Sequence, residues 1–208
     1  MPRIAGYWCK VDQRQQDGTP LLLLHGSGQS ENAWGDRWQS VAPHHTLVRV
    51  RGKVAWEGGF AFFRRNGDGS LNLADLRRAT DELTALSLTI AQRFEGRKPL
   101  LVGYSNGAIA AASLIQHRAE TTEGAILFRP LLPRTGNMST MPTDYPVLIL
   151  SGAHDHRRAP DDGQRLTDQL RRLGAKVEYH LLDCGHGWDP ENSDLTLARH
   201  WLEGQRNP

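Results

Sequence analysis

The chain has 208 residues, of which 38% are hydrophobic and 23% charged, and its formal net charge is +2. That length supports one domain with a sizeable core, and the ordinary composition argues against extensive disorder. The small charge and scattered arginines argue against a nucleic-acid footprint, and no apolar run approaches the ~20 residues that a membrane helix needs.

The opening stretch, MPRIAGYWCKVDQ, puts Cys9 and Lys10 where an export signal needs a longer apolar segment. Export is therefore not indicated, and a cytoplasmic location is expected. Cys9 and Cys184 lie far apart in the chain and read as free thiols.

The runs PLLLLHG (20–26) and HTLVRVRG (45–52) predict the first two strands. RGKVAWEGGFAFFRRNGDGS (51–70) follows as a long loop rich in glycine and aromatics. Its end faintly imitates a calcium loop, with Asp68, Gly69 and Leu71 in register. Arg64 stands at the first ligand position and Asp75 at the last, so capping of a helix by Asn72 is the better account. Leu73, Leu76, Leu83, Leu86, Ile90 and Phe94 form the apolar stripe of that helix. A strand at 98–105 runs into GYSNG and an alanine-rich helix, and further strands are predicted at 123–130, 145–152 and 176–183. Helices open at Pro160 and at Asp189-Pro190, and stop at Gly174 and Gly204.

Strands alternating with helices along the whole length predict an α/β fold in one domain, 1–208, without a lid domain. The nearly continuous Leu/Val/Ile runs are those of a mostly parallel sheet covered by helices on both faces. In such sheets ligands sit beyond the carboxyl ends of the strands. Those ends carry HGSGQSE (25–31), Tyr104-Ser105-Asn106, GAHDH (152–156) and DCGHGW (183–188). A serine, an acid and a histidine thus occur in chain order, each just past a strand.

A serine hydroxyl needs a base to become a nucleophile, histidine is that base near neutral pH, and a carboxylate fixes the histidine tautomer. Ser105, Asp155 and His186 are the expected catalytic residues. Asp183 could be a structural turn residue, and Asp161 and Asp162 belong to a helix start; these are the competitors of Asp155. Gly103 and Gly107 admit a cramped strand-to-helix turn at Ser105, and the N–H groups of Asn106 and Ser27 are the expected oxyanion donors. His154 and His156 flank Asp155 but would point apart on extended backbone, and no Cys/His spacing suits zinc. No metal and no cofactor are expected.

Gly-Tyr-Ser-Asn-Gly, with His-Gly-Ser-Gly upstream and Gly-Ala-His-Asp and Cys-Gly-His-Gly downstream, resembles the α/β-hydrolase superfamily. The likeness is greatest to its small lid-less carboxylesterase/phospholipase branch, which includes acyl-protein thioesterases and dienelactone-hydrolase-like esterases. The resemblance implies a Ser–His–Asp triad and cofactor-free hydrolysis of a small-molecule carboxylic ester. The elbow carries Asn106 where many thioesterase relatives have glutamine, a departure that leaves the oxyanion hole intact but counts against thioesterase specificity; an acyl thioesterase or lysophospholipase is the alternative of the same class. A catalytically silent fold that binds a small ligand is the alternative of another class. Trp56, Phe60, Phe62 and Phe63 are candidate pocket residues or, equally, closers of the sheet edge; Trp34 and Trp188 are further pocket candidates. No membrane or nucleic-acid partner is expected, and a homodimer stays open.

Overall fold

The computed structural model describes residues 3–12, 18–133, 136 and 138–205. An N-terminal hairpin, β1 (Arg3–Ile4) and β2 (Tyr7–Asp12), precedes β3 (Leu21–Leu24), α1 (Arg37–Val41) and β4 (Leu47–Val50). A second hairpin follows, β5 (Val54–Trp56) and β6 (Gly59–Ala61), and then the long α2 (Leu73–Arg93). The remaining elements are β7 (Leu100–Tyr104), α3 (Asn106–Arg118), β8 (Gly124–Phe128), β9 (Tyr145–Gly152), α4 (Asp162–Arg172), β10 (Ala175–Leu182) and α5 (Ser193–Gln205). Among the described residues no helix is long and apolar enough to cross a membrane.

Among the described residues eight strands form one sheet in the order β1-β2-β4-β3-β7-β8-β9-β10. From β4 to β10 every neighbouring pair is parallel; β1 and β2 are antiparallel. The sheet is therefore mostly parallel, as expected from the apolar runs. Strand β2 was not apparent because it alternates, with Tyr7 and Cys9 buried and Trp8 and Lys10 exposed, rather than running continuously apolar.

The period of two in β3 divides the core. Leu22 and Leu24 face the layer of α2, α3 and α4, while Leu21 and Leu23 face the layer of α1 and α5. All four are fully buried, and each contributes about 1.5–3 kcal/mol of apolar burial. Helix α3 is rich in alanine because it lies inside: its residues from Asn106 to Gln116 are all buried. A hydroxyl pair, Thr80 to Ser113 at 2.8 Å, joins α2 to α3. Asn72 caps α2 as expected, its side chain accepting from the Asp75 N–H at 3.0 Å.

The segment 51–70 is not the long loop expected. Val54 pairs with Ala61 and Trp56 with Gly59 across a turn at Glu57 and Gly58, whose φ values of 47° and 78° are those of a tight hairpin. The hairpin leans on the loop after β3, where the Phe60 N–H donates to the Gln29 carbonyl at 2.8 Å.

Candidate active site

Strand β7 ends and α3 begins at Ser105, which adopts φ 52° and ψ −105°. This is a costly conformation for a residue with a side chain. The surroundings impose it: a Cβ on Gly107 would overlap the carbonyls of Leu24 and His25, and one on Gly103 would overlap the start of α3. With glycine at both places the helix presses onto the sheet and the serine oxygen is turned outward. The positive end of α3 points at it.

His186 and Asp155 arrive from later strand ends. The Ser105 hydroxyl lies 2.9 Å from His186 Nε2, and His186 Nδ1 lies 2.7 Å from Asp155 Oδ2. The carboxylate accepts only, so Nδ1 carries the proton and Nε2 faces the serine as an acceptor. Asp155 Oδ1 accepts from the Arg157 N–H at 2.8 Å, which holds the carboxylate in place. Burial holds His186 below the usual histidine range; its hydrogen bond to Asp155 opposes this, and the positive charge of Arg158 adds to it.

The three acids that competed with Asp155 are engaged elsewhere. Asp183 pairs with His154 at 2.6 Å in an exposed contact, Asp161 pairs with Arg165, and Asp162 accepts from the Ala159 N–H at 2.9 Å. Cys184 is buried, and its thiol accepts from Arg129 at 3.1 Å. Burial raises the pKa of that thiol.

A cleft of about 290 Å³ opens over Ser105. Ser27 and Asn106 line it, with Trp56, Glu57 and three arginines, Arg65, Arg157 and Arg158. A larger cavity of about 660 Å³ lies at the opposite ends of β9 and β10, around Pro146 and Lys176, away from the serine. Chemistry rather than volume marks the site.

Of the aromatic candidates, Trp56 lines the cleft. Phe62 and Phe63 do not: each is 1% exposed and packs into the core beneath α2 and α3. Trp34 is likewise a core residue, 2% exposed, edge-on to Trp38 at 5.4 Å. Phe60 lies under the Arg51 guanidinium, and Trp188 stacks on Tyr104 at 5.0 Å. Aromatics in a glycine-rich segment read equally as pocket or as packing, and here packing claimed most of them.

No protein-family profile matches the chain. It is 33% identical over 185 residues to the Bacillus subtilis (strain 168) protein "Putative hydrolase MhqD", covering 88% of this chain and 92% of that one. The carboxylesterase of Bacillus cereus superposes with a TM-score of 0.87 at 28% identity, covering 95% of this chain and 94% of that chain. A carboxylesterase from Mesorhizobium loti superposes with a TM-score of 0.83, also at 28% identity, over 98% and 97%. The chain belongs to the α/β-hydrolase superfamily.

In this α/β-hydrolase, two residues that sequence reasoning did not single out shape the site. Arg129 follows β8 with φ 52°, and its fully buried guanidinium grips the loop that carries His186. It donates to the carbonyls of Gly185 at 3.1 Å and Gly187 at 2.9 Å, and pairs through both nitrogens with Asp194 at 2.8 Å. Tyr104 adds its hydroxyl to the His186 carbonyl at 2.6 Å.

The second is His25, at the start of the other loop of this α/β-hydrolase site. Nδ1–H donates to the Gly26 carbonyl at 2.7 Å, and Nε2 accepts from the Gly52 N–H at 3.0 Å. The ring is fully buried, and burial pulls its pKa down to about 4. The side chain of Asn106 accepts from the Phe62 N–H at 2.8 Å and donates to the Phe63 carbonyl at 3.1 Å. Asparagine at the elbow thus ties the aromatic segment to α3. A signal for Arg129 existed, an arginine directly after an apolar strand, but nothing in the sequence named its partners.

Proposed function

We propose that this chain is a serine hydrolase that cleaves carboxylic esters through a covalent acyl-enzyme. The observation that carries the reading is the hydrogen-bonded chain Ser105–His186–Asp155, with links of 2.9 and 2.7 Å. The superfamily membership and the carboxylesterases among the solved relatives support the same class.

In this mechanism His186 Nε2 takes the Ser105 proton as Oγ attacks the ester carbonyl carbon. The carbonyl π electrons move to oxygen, and the N–H groups of Ser27 and Asn106, both on the cleft, receive the oxyanion. Asp155 steadies the imidazolium without taking its proton. Collapse expels the alkoxide, which leaves as the alcohol with the proton from His186. Water, deprotonated by His186, then attacks the acyl carbon, releases the acid and returns Ser105 to its starting state. The small cleft suits small to medium substrates.

The test is a pre-steady-state burst with 4-nitrophenyl acetate. One equivalent of 4-nitrophenolate per chain is expected, lost in Ser105→Ala. Undiminished turnover in that variant overturns the reading. Matched oxygen and thiol esters measured beside it separate an esterase from a thioesterase.

A further inference from the structure

Three arginines from two parts of the chain line the cleft over the serine. Arg157 and Arg158 lie two and three residues after Asp155, and the Arg157 N–H donates to Asp155 Oδ1 at 2.8 Å, so the residue that orients His186 also helps to fix their place. Arg65 enters from the stretch between β6 and α2.

Arg158 is the most tightly held. Nε donates to the Arg129 carbonyl at 2.8 Å and Nη1 to the Arg157 carbonyl at 2.9 Å, which leaves Nη2 to reach Ser105 Oγ at 3.1 Å. Arg65 is steadied through Nη1 on the Gly69 carbonyl at 2.7 Å. Neutral carbonyls hold these cations; among the described residues none of the three arginines makes an ion pair.

The charges of Asp155 and Asp162 partly offset these cations from a distance, but neither carboxylate touches them: Asp155 is bonded to His186 and Asp162 accepts a backbone N–H. Glu57 brings one carboxylate to the cleft wall against the three guanidinium groups. Burial pulls Arg158 down to about 10, and burial and Arg157 pull Arg65 below its ordinary range. With no carboxylate in contact among the described residues, the guanidinium groups that line the cleft keep N–H donors for an anionic ligand. Guanidinium forks match carboxylate and phosphate oxygens in particular.

We propose that the natural substrate is an anionic ester whose carboxylate or phosphate group sits beside the scissile carbonyl and is bound by Arg65, Arg157 and Arg158. This rests on the ester-hydrolase reading and narrows it to negatively charged substrates. The 3.1 Å contact of Arg158 with the nucleophile sets the anion within a few atoms of the reacting carbon.

The experiment compares kcat/KM within matched pairs at low salt. Mono(4-nitrophenyl) glutarate against its methyl ester probes an acyl-side charge; 4-acetoxybenzoate against methyl 4-acetoxybenzoate probes an alcohol-side charge. Inorganic phosphate, tested as a competitive inhibitor, distinguishes a phosphate preference from a carboxylate one. The expected result is a preference of about tenfold or more for the charged member of at least one pair, or competitive inhibition by phosphate at millimolar concentration. In either case the effect shrinks as salt rises and shrinks again in Arg65→Gln/Arg157→Gln. The salt series needs no variant, so a poorly folded double mutant does not spoil the test. Equal or faster turnover of both neutral esters, without phosphate inhibition, overturns the anion subsite and leaves the hydrolase reading standing. Turnover of no ester at all overturns both.

Discussion

Arg129 and Asp194 form a two-pronged ion pair, both links 2.8 Å, with side chains 0% and 1% exposed, at the base of the loop that carries His186. Removing one partner of a buried pair leaves the other charge stranded and costs ~3–5 kcal/mol. Arg129→Met is therefore expected to lose roughly that much stability in urea denaturation. Because Arg129 also holds the Gly185 and Gly187 carbonyls, kcat should fall while KM changes little. A variant with wild-type kcat would show that the loop keeps its shape without the guanidinium.

His25 links stability to pH. Its folded pKa of about 4 lies below the ordinary 6.5, so the unfolded chain binds the extra proton between these values. Stability from the neutral ring is fully present above pH ~6.5 and is lost as pH falls towards 4, by roughly 3 kcal/mol. Urea denaturation of wild type and His25→Gln should show a gap that narrows as pH drops from 7 to 4.5. A gap independent of pH would contradict this.

The acid limb of kcat/KM reports His186, which must be neutral to accept the serine proton. Burial and Arg158 lower its pKa, so activity should persist somewhat below the usual histidine range and fall once pH passes the lowered value. In Arg158→Gln the repelling charge is gone, and the acid limb should move to higher pH. Its plateau should drop about tenfold with loss of the Nη2 contact to Ser105. An unmoved limb would mean that Arg158 does not act on the imidazole.

Gly107 leaves no room for a methyl group against the Leu24 and His25 carbonyls. Gly107→Ala should force α3 off the sheet, with a drop in melting temperature and loss of activity beyond that of a cap change. Normal thermal unfolding and normal turnover in this variant would contradict the close-packed elbow.

The parallel strands, and the positions of Ser105, Asp155 and His186 just past their ends, were legible in the sequence because both arise from local pattern. Continuous Leu/Val/Ile runs mark the buried parallel strands, and chemistry-bearing residues follow their ends. The hairpin β5–β6 was hidden because its strands are three residues each and its turn uses Glu57 in place of the favoured Asn. Phe62 and Phe63 were ambiguous for a different reason: their backbone is held by the Asn106 side chain, over 40 residues away. The grip of Arg129 on the His186 loop is likewise a long-range fact, joining residues 56 and 65 apart in the chain. Such contacts leave no periodic trace.

The most direct measurement is peptide mapping after reaction with a fluorophosphonate. The expected result is one label per chain, on the peptide that contains Ser105, absent from Ser105→Ala and slowed in His186→Ala. Label on any other residue, or equal labelling of the Ser105→Ala variant, would contradict the role assigned to the strained turn at the end of β7.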